Sequence, residues 1–97
     1  MKPLLEMIDA TYLHDYVIRI TFSTNEIVDV DLSPMIFQDT KGIFDPLKNA
    51  DFFRQFRVDY TLCWGDDIDV APEYFFFLAH KNDSQYEALF KKWGYIE

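Results

Sequence analysis

The chain has 97 residues, 49% of them hydrophobic and 19% aromatic, with ten phenylalanines and a formal net charge of −8. That length suits one domain, residues 1–97, with a core that needs no disulfides, and the composition is far from that of a disordered chain. The 9 Lys and Arg are scattered among 17 Asp and Glu, which disfavours binding to nucleic acid or to an anionic membrane surface, and no apolar run approaches the roughly 18 residues of a membrane span.

The first third reads as β. Leu4 to Tyr12 is the first expected strand, and Leu13-His14-Asp15 the turn after it. Tyr16 to Ser23 alternates, with Tyr16, Ile18, Ile20 and Phe22 on one face and Val17, Arg19 and Thr21 on the other, the period of a half-buried strand. Thr24-Asn25-Glu26 is a tight turn in which Asn25 can take a positive φ. Ile27 to Leu32 alternates again, with Val28, Val30 and Leu32 opposite Asp29 and Asp31. The two strands form a hairpin with an apolar inner face.

Ser33-Pro34 predicts a helix, capped by Ser33 and ended by Asp39-Thr40-Lys41-Gly42. Asn49 caps a second short helix reaching about Gln55, with Phe52, Phe53 and Phe56 at helical spacing. Arg57 to Trp64 returns to alternation, Val58, Tyr60, Leu62 and Trp64 against Asp59, Thr61 and Cys63, and reads as one strand. Ile68 to Val70 adds a short one, and Pro72 opens a helix through Ala79. Beyond Lys81, Ser84 and Glu87 make a capping box for a last helix over about 82–94. Its stripe is Tyr86, Leu89, Phe90 and Trp93, and Gly94 ends it. The fold class is α+β: a mostly antiparallel sheet of about four or five strands, short helices packed on one face, and a C-terminal helix.

The densest chemistry lies from Trp64 to Glu73, where Asp66, Asp67, Asp69 and Glu73 fall on a strand-to-helix junction. Such carboxylates suit a hard cation or acid–base work. The simpler reading makes Asp66 and Asp67 turn residues, Asp69 a cap or brace for the helix at Pro72, and Glu73 a partner of the helix dipole. Cys63, the single cysteine, reads as a small core residue rather than a nucleophile, and a lone thiol with no signal-peptide pattern fits a reducing cytoplasm. His14 and His80 read as solvated or locally hydrogen-bonded. Tyr74-Phe75-Phe76-Phe77 is too uniformly aromatic for one helical face, so some rings turn away from the body, toward the last helix or toward a partner.

Several pieces in order resemble the prokaryotic family known as domain of unknown function 2442: Asp15-Tyr16-Val-Ile-Arg-Ile-Thr-Phe22, Val30-Asp31-Leu32, Gly42-Ile-Phe44 with Leu47, and Trp64 with Asp69-Val-Ala-Pro-Glu73. The likeness covers about residues 4–76 and leaves the C-terminal extension outside. Asn25 and Asp67 stand where the family usually has glycine. The resemblance implies no assigned enzymatic activity. It implies a domain found alone or beside a DNA-binding module, in gene pairs that look like toxin–antitoxin arrangements.

Together these readings point to a non-catalytic cytoplasmic interaction module, with no cofactor, that binds a small protein as its antitoxin-like or accessory partner, or binds itself. The expected interface residues are Trp64, Asp69, Pro72, Glu73, Tyr74 and Phe75. The alternative is a metal-dependent or acid–base enzyme using Asp66, Asp67, Asp69 and Glu73, with Asp67, Asp69 and Glu73 as the metal candidates.

Overall fold

The hairpin expected from the alternation is the centre of the molecule. In the computed structural model, which describes residues 5–96, β1 (Met7–His14), β2 (Val17–Phe22) and β3 (Ile27–Asp31) form an antiparallel sheet in that order. Ile18, Ile20 and Phe22 are fully buried, while Arg19 faces outward and its guanidinium donates to Asp29 at 2.8 and 3.2 Å. Asn25 takes φ 69° in the β2–β3 turn. Leu4, where the first strand was expected to begin, lies outside the described residues. The strand itself runs two residues past Tyr12, so the turn moves to Asp15-Tyr16, both at positive φ. His14 then pairs with Val17 across a two-residue hairpin turn of the mirror-image kind. Tertiary contact explains the shift. Tyr16 is held in this backbone state by its hydroxyl, which donates to the Lys48 carbonyl at 2.8 Å, and by its ring against Phe53 at 4.6 Å.

A second antiparallel sheet replaces the single sheet of four or five strands. It comprises β4 (Arg57–Val58), β5 (Leu62–Trp64) and β6 (Ile68–Asp69). The expected strand from Arg57 to Trp64 is in fact a tight hairpin. Arg57 pairs with Cys63 and Val58 with Leu62, and Tyr60 sits at φ 53° in the turn. The alternation of Val58, Tyr60, Leu62 and Trp64 is therefore broken, and Leu62, Cys63 and Trp64 are all buried while Tyr60 is exposed. Met7 N–H donates to the Tyr60 carbonyl at 2.8 Å and links the two sheets.

Among the described residues, four α-helices complete the fold: α1 (Ser33–Phe37), α2 (Ala50–Phe53), α3 (Pro72–His80) and α4 (Glu87–Trp93). Ser33 is the first residue of α1, not its cap. Asp31 does the capping work from outside, its carboxylate accepting from Ser33 N–H at 2.9 Å and from the Ser33 hydroxyl at 2.6 Å. Asn49 caps α2 as expected, its side chain accepting from Asp51 and Phe52 N–H. α2 ends at Phe53, short of Gln55. The capping box of Ser84 and Glu87 does not form. Ser84–Tyr86 is a 3-10 turn whose cap is Asp83, and α4 follows it. Gly94 does end α4, at φ 86°. The buried side chains form one cluster that includes Ile18, Phe22, Phe53, Trp64, Phe75 and Phe90.

Candidate functional site

The Trp64–Glu73 segment folds into a corner. Trp64 ends β5 facing inward, 1% exposed, its indole N–H donating to the Phe53 carbonyl at 2.8 Å and its ring stacked on Phe53. Gly65 opens the following turn at φ 58°, a state that favours glycine, and the Arg57 guanidinium donates to its carbonyl at 2.5 Å. Asp66 and Asp67 sit exposed at the tip, and Trp64 pairs with Ile68 across the turn. Asp69, paired with Cys63, is exposed on β6. The buried Thr61 hydroxyl donates to the Val70 carbonyl and pins the chain where it leaves the sheet. Ala71 then holds an extended backbone, and Pro72 starts α3 without any side-chain cap.

Asp69 was expected to cap or brace this helix; among the described residues its carboxylate takes no hydrogen bond and no ion pair. Glu73 lies in the first turn of α3, half-buried, where the helix dipole favours negative charge. Tyr74 is half-buried with its ring 5.6 Å from that of Tyr95, and burial pushes its phenol pKa up.

The six expected interface residues thus divide. Trp64, Pro72 and Phe75 are in the interior and shape the corner from beneath. Asp69, Glu73 and Tyr74 reach its surface. Two concavities flank Val70. One, of about 370 Å³, is lined by Val70, Ala71 and Pro72 together with Glu6, Tyr60, Asp69 and Glu73. The other, about 470 Å³, lies between Tyr74, Met35 and Phe44. Tyr60 is the residue that sequence reasoning missed. It is 58% exposed and holds a left-handed backbone, which a bulky side chain rarely adopts. No signal in the sequence marks it, because the turn carries no glycine.

Among the described residues, no three His, Cys, Asp or Glu side chains gather where they could hold a metal ion. Cys63 is buried, and desolvation pushes its thiol pKa up, away from the reactive thiolate. His14 is exposed beside Asp15. His80 departs from the expectation of a solvated or locally bonded ring. Its side chain is only 14% exposed, packs on Phe76 and Tyr86, and brings Nε2 to 2.9 Å from a Glu26 carboxylate oxygen far along the chain. That contact is close but poorly aligned, leaving Nε2 without a hydrogen bond of good geometry. Among the described residues, no helix is long and apolar enough to cross a membrane.

No curated protein and no solved structure matches the chain. A family model does, from the first residue of β1 to the residue after α3, so that it takes in both sheets and the whole corner and stops before α4. By that match over residues 7–81, the chain belongs to the family described as protein of unknown function DUF2442.

Proposed function

We propose that this chain is a non-catalytic protein-interaction module that binds a small partner protein at the β6–α3 corner, as the antitoxin-like or accessory half of a pair. The observation that carries the reading is the placement of Tyr60. It combines a left-handed backbone with a 58% exposed ring on the wall of the 370 Å³ cleft; strained backbone clusters at functional sites, and tyrosine is enriched at interface hot spots. Tyr74 supplies a second ring, and Asp69 and Glu73 supply a negative rim that favours a basic partner.

The test is a tagged pull-down of the full chain at native expression, followed by affinity measurement on the stoichiometric small protein recovered. Tyr74→Ala weakens that complex by more than about 1 kcal/mol, as truncation of an aromatic anchor does, while cooperative unfolding persists. An affinity unchanged by Tyr74→Ala removes the corner from the interface. A protein recovered alone and dimeric by light scattering assigns the surface to self-association. If Mg²⁺, Mn²⁺, Ca²⁺ or Zn²⁺ raises the unfolding midpoint, the carboxylates of Asp66, Asp67, Asp69 and Glu73 become a metal-dependent site instead.

A further inference from the structure

Residues 84–96 lie past the family match and are fixed to the body by apolar packing, mostly of rings, with Leu89 and Ile96 beside them. Phe76 meets Tyr86 at 5.0 Å and Trp93 at 6.1 Å, and Phe77 meets Phe90 at 5.0 Å and Tyr95 at 5.2 Å. The polar contacts of the segment are local. Gln85 bonds Asp83, Lys91 pairs with Glu87, and the Gly94 and Tyr95 N–H groups return to α4. Among the described residues, no hydrogen bond or ion pair joins 84–96 to residues 5–79.

A helix as short as α4 is not stable alone in water, so the segment would unfold on leaving the body. Release breaks no polar link to the body. It bares Phe76 and Phe77 together, and since an aromatic side chain buries about 150–250 Å², the uncovered patch is of the size that marks an interaction site.

We infer that the aromatic face of α3 is a docking groove for an amphipathic helix, and that residues 84–96 occupy it in cis as a displaceable cover. The partner segment is a helix repeating the spacing of the cover, with aromatic or leucine side chains at the positions of Tyr86, Leu89, Phe90 and Trp93. Phe76 selects for this pattern because it faces both ways. Its ring packs on Phe22 of the sheet at 5.7 Å and on the cover from the other side, so the groove floor stays fixed when the cover leaves. The inference does not rest on the corner reading, although Tyr95 of the cover also contacts Tyr74 there.

The probe is a fluorescein-labelled peptide with the sequence of residues 83–96, added to the full chain and followed by anisotropy. Phe90→Ala weakens the cis cover and binds the peptide at least about tenfold more tightly than wild type, because a larger fraction of the grooves is open. Adding Phe77→Ala removes that gain. A folded Phe90→Ala protein that binds the peptide no better than wild type overturns the inference. If Phe90→Ala fails to fold, Trp93→Ala at the half-buried rim carries the same comparison. A wild-type dimer by light scattering that Phe90→Ala dissolves puts a second copy of the segment in the groove, and overturns the assignment to a partner helix.

Discussion

Thr61 is the one polar side chain in the interior among the described residues. Its hydroxyl ties β5 to the Val70 carbonyl, and with that bond the start of α3 is set against the sheet. Thr61→Val keeps the shape but removes the donor, leaving a half-buried carbonyl unpaired at about 1–3 kcal/mol. The expected result is a lower urea midpoint with an unchanged slope; no shift means that water replaces the hydroxyl. Residue chemistry was legible in the sequence here, but residue side was not. Trp64 precedes the acidic run in sequence, yet its side chain is buried. What turns it inward is an acceptor eleven positions earlier, at Phe53, and a single sequence does not display that pairing. Glu73 and Tyr74, in the first turn of the helix that Pro72 opens, are half-buried at the corner. Tyr60 was invisible, since its strained backbone is imposed by the pairing of Arg57 with Cys63 and Val58 with Leu62 around it.

At the scale of elements, alternation alone did not tell a continuous strand from one that folds back on itself. Ile18, Ile20 and Phe22 share a buried face across a six-residue strand. Arg57 to Trp64 alternates equally well, yet three residues suffice to reverse the chain, so its pattern joins two separate strands. Helix ends followed the same logic. Asn49 and Gly94 act locally and were read correctly, whereas Ser33 and Ser84 were each displaced as caps by an aspartate preceding them, Asp31 and Asp83. Gly94 gives a direct prediction. No side chain crowds it, but its φ of 86° is left-handed, so Gly94→Ala costs about 1–2 kcal/mol through the backbone. Because α4 has no polar link to the sheets, the cost stays local. Hydrogen exchange accelerates over residues 84–96 and is unchanged in β1, β2 and β3; acceleration throughout would mean that the cover and body unfold as one unit.

The whole molecule carries its charge unevenly in energetic terms. Asp29 is held below the usual carboxylate range by the Arg19 guanidinium, Asp39 by the Lys41 and Phe44 N–H groups, and Asp83 by Gln85. For each, the folded pKa is depressed, so its contribution to stability is complete above the unfolded carboxylate value and is lost as pH falls through the folded one. The urea midpoint is therefore flat from neutrality down to the ordinary carboxylate range and declines below it. A midpoint that rises on acidification would mean that relief of the net charge of −8 outweighs these bonds.

Cys63 lies at the meeting point of β4, β5 and β6, buried and alone of its kind in the chain. Release of residues 84–96 leaves its strand pairing intact, whereas separation of β4, β5 and β6 bares the sulfur. The molecule therefore carries a built-in clock for opening of the second sheet. Alkylation of its thiol counts excursions of the body and is silent to those of the cover, so the two lifetimes can be timed in one native, unlabelled chain.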